Sequence, residues 1–161
     1  MLKSMLSAAF LMAAAGLCGP LAFAAGGGGS EPAQVQKPVD PNFAAGKLAL
    51  DAKDWKAAIG AFTKAVAKEP GNADAHNFLA YSYRKSGNLD VAFKHYGEAL
   101  RLDPKHRGAH EYMGEAYLMA GNLAKAEEHL QALDRLCFFP CEEFSDLKKA
   151  VAEYKQKSAS R

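Results

Sequence analysis

The chain repeats itself every 34 residues, and this period restricts the possible folds to a small class. Small residues recur at this spacing in two series: Gly46, Ala80 and Gly114, and Ala58, Ala92 and Ala126. Repeats of this length correspond to two helices joined by a short turn. One such hairpin cannot bury its apolar face alone, so neighbouring hairpins must stack on each other.

The second repeat shows the pattern of its two helices most clearly. Apolar and small residues share one stripe of a predicted first helix at Leu79, Ala80 and Tyr83. The Gly87-Asn88 pair is then a stop and turn signal. The second helix has its stripe at i, i+4 and i+7, at Ala92, Tyr96 and Ala99. Small residues on facing stripes predict a close approach of two antiparallel helices.

These positions resemble the tetratricopeptide repeat family, which has the same period and the same small and aromatic sites. The resemblance covers residues 39–138 in three repeats, 39–72, 73–106 and 107–138. It implies an all-α fold, a right-handed α-solenoid of three helical hairpins. Ala45 and Ala49 stand where the family often has larger residues, so we expect loose packing of the first helix.

The segment 139–157 is predicted to form a helix that caps the third repeat. One apolar face is formed by Phe144, Leu147, Val151 and Tyr154. Glu142 and Glu143 lie at the positive end of this helix, and Lys155 and Lys157 lie at its negative end.

The first 24 residues have the pattern of an export signal. Lys3 is the only charged residue among the first 30, and a 13-residue apolar run follows from Met5 to Leu17. This run is shorter than the roughly 20 residues of a membrane span. We predict cleavage after Ala24, a Gly/Pro-rich flexible linker over residues 25–38, and a periplasmic location. The alternatives are an uncleaved anchor and a lipoprotein signal ending at Cys18.

Two cysteines, Cys137 and Cys141, remain after the predicted cleavage, at the joint between the third repeat and the cap. In an oxidising compartment, a disulfide that fastens the cap is the simplest interpretation. A reactive dithiol, a copper or zinc site and two unpaired structural thiols are the alternatives.

Charge and motifs argue against several functions. The net charge of +2 is too small for an electrostatic grip on nucleic acid or on anionic membranes. The sequence has no nucleophile elbow, phosphate loop or dinucleotide fingerprint, so we predict no enzyme and no cofactor. The histidines recur 34 apart, as His76 with His110 and His95 with His129, too far apart along a stack to share a metal ion. We interpret them as solvated or packing residues and predict no metal site.

The family resemblance also implies a concave groove lined by the first helix of each repeat. The corresponding residues are Phe43, Lys47 and Leu50, then Asn77, Tyr81, Arg84 and Lys85, then Glu111, Glu115 and Leu118. Tyr81 would be an apolar platform beside Arg84 and Lys85, which would hold a carboxylate or an acidic segment. The third repeat has the opposite charge, so the groove predicts an extended ligand with both signs.

These features predict a non-enzymatic periplasmic adaptor or assembly factor that binds a peptide or protein segment. The alternative is a thiol-redox or copper-handling envelope protein that acts through Cys137 and Cys141. No oligomeric state follows from the pattern.

Overall fold

The structure is a computed structural model that describes residues 40–139 and 141–160. The predicted signal peptide, residues 1–24, and the predicted linker, residues 25–38, lie outside these ranges. Seven helices make up the described part: α1 (Pro41–Asp51), α2 (Trp55–Lys68), α3 (Ala73–Lys85), α4 (Leu89–Leu102), α5 (Arg107–Met119), α6 (Leu123–Leu136) and α7 (Glu142–Ala159). No strand occurs in the described ranges, so the predicted all-α class is confirmed.

The helices pair as three hairpins, α1 with α2, α3 with α4 and α5 with α6. Each second helix also packs on the next first helix, which stacks the hairpins into a solenoid. The final helix, α7, packs against both α5 and α6. The first helices α3 and α5 touch each other directly, so they form one continuous face.

The turn chemistry explains where the second helices begin. Asp54, Asn88 and Asn122 are the N-caps of α2, α4 and α6, and each side-chain oxygen accepts a hydrogen bond from the amide three residues later. Gly87 and Gly121 precede two of these caps with φ of 88° and 77°. This left-handed conformation suits glycine because a side chain would be strained there.

The small residues of the repeat lie where two helices come closest. A Cβ added to Gly46 would lie 2.6 Å from Cζ of Phe62 on α2, and one on Gly114 would lie 2.6 Å from Cδ2 of Leu147 on α7. The second small series is fully buried at Ala58, Ala92 and Ala126. The 34-residue period therefore marks the helix contacts of the core.

The first helix is held by its aromatic residue and its glycine. Phe43 makes edge-to-face contacts with Phe62 and Phe78 at ring-centroid distances of 5.6 and 5.8 Å. Ala45 is exposed, whereas Ala49 is half-buried and packs against the cluster of Ala58, Phe62 and Leu79. The looser packing expected for α1 stays a prediction, and it concerns Ala49 alone.

The last helix covers the open end of the third hairpin. Leu147 and Val151 are buried against Ala126 and Leu133 of α6. Cys137 follows α6 and Cys141 precedes α7, with Cα atoms 5.8 Å apart and the two sulfurs placed in bonding contact. Within the described ranges, no helix has the length and apolar character needed to cross a membrane.

Candidate functional site

A groove runs along the first helices, with side chains at equivalent positions of each repeat. Lys47, Tyr81 and Glu115 occupy the same position on α1, α3 and α5, 34 residues apart. A cleft of about 190 Å³ opens between these helices. It is lined by Lys47, Leu50, Asp51, Phe78, Tyr81 and Tyr112. The structure therefore brings predicted groove residues of the first two repeats into one cavity.

Aromatic rings form the floor of this cleft. Tyr81 and Tyr112 have ring centroids 4.8 Å apart, and Tyr81 meets Trp55 edge-to-face at 6.2 Å. The ammonium group of Lys47 lies 4.1 Å from the ring centre of Phe78, a cation–π contact. Rings fixed by their neighbours offer contact area at little entropic cost, which is what a binding surface for a peptide requires.

The structure corrects the expected role of Arg84. Its side chain is only 7% exposed, and its guanidinium donates to Oε2 of Glu115 at 2.7 Å. The same group lies 5.1 Å from the ring centre of Tyr81 and 5.6 Å from that of Tyr112. Because Glu115 and the two rings already surround it, Arg84 is a buried structural cation and not an open receptor for a ligand carboxylate.

Lys85 is the cation that stays open on α3. It is exposed, and its ammonium group lies 5.7 Å from the ring centre of Trp55 and 5.9 Å from that of Tyr81. Lys47 on α1 is exposed as well. The end of the groove formed by α1 and α3 therefore presents two lysines beside aromatic rings.

Acidic residues dominate the other end, where α5 meets α7. A shallow depression of about 250 Å³ lies between these helices. Its lining residues are Glu115, Asp146, Lys149, Ala150 and Glu153. Glu111 lies one helical turn before Glu115 and is only 8% exposed. Burial, together with the nearby carboxylates of Glu115, Asp146 and Glu143, raises the pKa of Glu111 to about 8.

Asn77 occupies the position on α3 that is equivalent to Glu111 on α5. It is 2% exposed, and its Oδ1 has no hydrogen-bond partner among the described residues. Its amide reaches α5, because a Cβ on Gly108 would lie 3.4 Å from Nδ2 of Asn77. An unpaired acceptor oxygen in this place is unusual, since buried polar groups are normally hydrogen-bonded.

Two histidine pairs, which the sequence analysis did not connect, join the helices of the second and third hairpins. Nδ1 of His76 lies 3.1 Å from Nδ1 of His95, and Nδ1 of His110 lies 2.9 Å from Nδ1 of His129. In both repeats the partners are 19 residues apart, and this shared spacing is the signal that would have identified them. The comparison of residues 34 apart had grouped histidines of different hairpins.

Each pair has a defined hydrogen-bond direction. Nε2 of His76 donates to the carbonyl oxygen of Pro70, and Nε2 of His110 donates to that of Pro104, both at 3.1 Å. The Nδ1 atoms of His76 and His110 are therefore acceptors, and their partners donate from Nδ1. Over the described residues, no group of three or more His, Cys, Asp or Glu side chains is arranged to hold a metal ion.

The groove and the hairpin stack define a helical-repeat protein. The sequence model of the Tetratricopeptide repeat family matches residues 43–96 and 79–137, more than half of the chain. The chain belongs to the tetratricopeptide repeat family. No curated protein matched it by sequence.

Solved structures with the same fold are distant in sequence. The translocator chaperone SycD of Yersinia enterocolitica type III secretion superposes with a TM-score of 0.66 at 18% identity, covering 73% of this chain and 83% of that one. The TPR2B domain of yeast Sti1, in complex with pHsp70, has a TM-score of 0.67 at 19% identity, covering 72% and 94%. The first TPR of Spaghetti (RPAP3), bound to the HSP90 peptide SRMEEVD, has a TM-score of 0.63 at 20% identity, covering 73% and 90%.

Proposed function

We propose that this chain is a non-enzymatic protein-interaction module that binds an extended peptide or protein segment in the groove of its first helices. The aromatic cleft between α1, α3 and α5 carries the proposal, because Tyr81, Tyr112 and Phe78 line it beside the exposed Lys47. Among similar structures, SycD has been solved with a peptide of the translocator YopD, and the Spaghetti repeat with an HSP90 peptide.

The opposite charges at the two ends of the groove favour one orientation of the bound segment. Lys47 and Lys85 lie on α1 and α3, whereas Asp146 and Glu153 lie on α7 beside α5. A segment with an acidic residue at one end, an apolar or aromatic residue in the middle and a basic residue at the other end matches this order. The role as an adaptor or assembly factor follows from such binding without any chemical step.

Selection of peptides from a phage-displayed library on the purified protein tests this function. Two groove variants, Tyr81→Ala and Lys47→Glu, are compared with Lys94→Glu, which reverses an exposed charge on the second helix α4. We expect selected peptides to bind both groove variants about tenfold more weakly and to bind Lys94→Glu as they bind the parent. Equal binding to all variants, or no enrichment of peptides, would contradict the proposal.

We further propose that the chain is exported and that a disulfide between Cys137 and Cys141 fastens α7 to the third hairpin. Because the closed loop is short, the expected stabilisation is only about 2 kcal/mol. Intact mass with and without reduction, followed by thiol titration of exported protein, tests both points. A mixed disulfide trapped with another protein by Cys141→Ser would favour the thiol-redox alternative.

A further inference from the structure

The acidic end of the groove contains a carboxyl group without a counter-charge. Glu111 is 8% exposed, and no hydrogen bond or ion pair of its side chain occurs in the described part of the chain. The nearest cation on α3, Arg84, donates its 2.7 Å hydrogen bond to Glu115 and not to Glu111. A buried carboxylate in this state is costly unless a cation approaches it.

A second unpaired acceptor lies at the equivalent position of α3. Oδ1 of Asn77 is buried without a partner, and the amide of Asn77 packs beside Gly108. Gly108 lies three residues before Glu111, so both residues are on one face of α5. Two acceptors on adjacent first helices thus lack donors, and both occupy the groove position of their repeat.

Acidic groups outnumber cations among the residues that act on Glu111. Glu115 lies on α5 itself, Asp146 and Glu143 lie on α7, and Arg84 lies on α3. Arg107, one turn before Glu111 on α5, is paired with Glu143. Arg84 lowers the pKa of Glu111, but burial and the three carboxylates outweigh it and raise that pKa to about 8. The exposed Lys149 lines the adjacent depression without pairing to Glu111.

We propose that Glu111 is the receptor for one lysine or arginine side chain of the segment bound in the groove. Such a side chain supplies several N–H donors and one positive charge, which are what the Glu111 carboxyl group lacks. The inference rests on the proposed function and specifies the chemistry of its ligand. It places the basic residue of the segment over α5, away from Lys47 and Lys85.

Binding of the cation is coupled to proton release. Near neutral pH the carboxyl group of Glu111 is mostly protonated in the free protein, because its pKa lies near 8. A bound ammonium or guanidinium group favours the carboxylate, so the proton leaves as the cation enters. Affinity for a cationic segment should therefore rise with pH by up to about tenfold per unit below that pKa.

Mixtures of short synthetic peptides test the cation preference. The peptides carry Lys, Arg, citrulline or Glu at one defined position, and binding is measured at a pH above the pKa of Glu111. The purified protein is compared with Glu111→Gln, which keeps the size and shape of the side chain but cannot become charged. We expect the parent to retain Lys and Arg peptides over citrulline peptides, and Glu111→Gln to retain peptides without this preference. An undiminished preference in Glu111→Gln, or none in the parent, would overturn the inference while peptide binding itself still stands.

A second measurement needs no peptide binding. The carboxyl ¹³C shift of Glu111 is followed with pH in the presence of N-acetyl-arginine amide, or of the uncharged N-acetyl-citrulline amide. We expect the arginine compound alone to lower the pKa of Glu111, by about one unit or more at saturation. An unchanged titration curve would reject the cation site. If no peptide binds, the proposed function fails, and this titration still decides whether Glu111 accepts a cation.

Discussion

Two glutamates one turn apart on α5 have opposite electrostatic surroundings. Glu115 accepts a hydrogen bond from the buried guanidinium of Arg84, whereas Glu111 has no such donor. In the unfolded chain, the carboxyl group of Glu111 has a pKa near 4.3. Burial raises the folded-state pKa of Glu111 to about 8, so between these values the unfolded chain has lost a proton that the folded protein keeps. Stability should therefore fall as pH rises through this window.

Glu111→Gln should stabilise the protein at about pH 8.5 and have little effect at about pH 4, where Glu111 is mostly protonated in both states. We expect a gain of about 1 kcal/mol, which allows for screening by water in the open groove. Glu115→Gln is the matched control, and it should lower stability because Arg84 loses its ion pair. Urea unfolding at both pH values measures the difference, and equal effects of the two substitutions would contradict this account.

The histidine pairs should make the protein sensitive to acid. Burial, together with the neighbouring His110, lowers the pKa of His129 to about 4, while an unfolded histidine titrates near 6.5. Burial also lowers the pKa of His95 and His110. As pH falls, the unfolded chain takes up protons before the folded protein does. The contribution of the neutral, buried histidines to stability is therefore fully present above about pH 6.5, and it is lost as pH falls towards their folded-state pKa values.

His129→Asn should reduce this loss. The asparagine amide can donate to Nδ1 of His110 as His129 does, but it does not titrate. We therefore expect the difference in unfolding free energy between about pH 7 and pH 5 to shrink by about 1 kcal/mol or more. Lys94→Asn is the control, since Lys94 is exposed on α4 and belongs to neither histidine pair. An unchanged pH profile of His129→Asn would show that the pair does not cause the acid sensitivity.

Sequence periodicity identifies groove positions but not the partners of their side chains. Lys47, Tyr81 and Glu115 were placed in the groove because the resemblance to the repeat family implies it, and the 34-residue period gives them equivalent positions. The pairing of Arg84 with Glu115 crosses from one hairpin to the next, and it depends on side-chain length and on helix rotation. Periodicity carries no information on side-chain length or helix rotation. Arg84 was therefore predicted to bind a ligand carboxylate, although in the structure it is paired with Glu115.

At the scale of the helices, glycine has two opposite roles within the first hairpin. Gly46 on α1 lies against the buried ring of Phe62, where a Cβ would come within 2.6 Å. Gly60 on α2 has no atom within 4 Å of such a Cβ. Gly46 allows α1 to approach α2 closely. At Gly60, glycine has no such role and only lowers helix stability through its greater conformational entropy in the unfolded chain.

Gly46→Ala should destabilise the protein by about 1–3 kcal/mol, because α1 must move away from Phe62. Gly60→Ala should stabilise it by up to about 1 kcal/mol through helix propensity. Thermal melting of both variants measures the two shifts. Shifts of the same sign would show that the approach of α1 to α2 is not limited by Gly46.

The fold of the whole chain follows more directly from the sequence than its site does. Three stacked hairpins result from a repeated need to bury the same stripe, which is visible as Ala58, Ala92 and Ala126. The apolar face of α7 was visible as well, since Leu147 and Val151 lie on it and are buried. The order of charge along the groove depends on four helices together, so no single repeat reveals it.

The central hairpin connects the two ends of the solenoid. Ala92 on α4 is fully buried in one cluster with Ala80 of α3 and Ala116 of α5. In a stacked array each hairpin is stabilised mainly by its neighbours, so a defect at this contact also weakens the coupling between the outer hairpins. It should therefore affect the cooperativity of unfolding as well as its midpoint.

Ala92→Trp should lower the unfolding free energy by about 3 kcal/mol or more, because the buried contact has no room for an indole ring. We also expect a smaller dependence of the unfolding free energy on urea concentration, since a weakly coupled array unfolds in parts. Lys94→Trp adds the same ring at an exposed site of α4 and should leave both quantities close to those of the parent. Native-like urea unfolding of Ala92→Trp, followed by circular dichroism, would show that α4 does not form the close contact that joins the second and third hairpins.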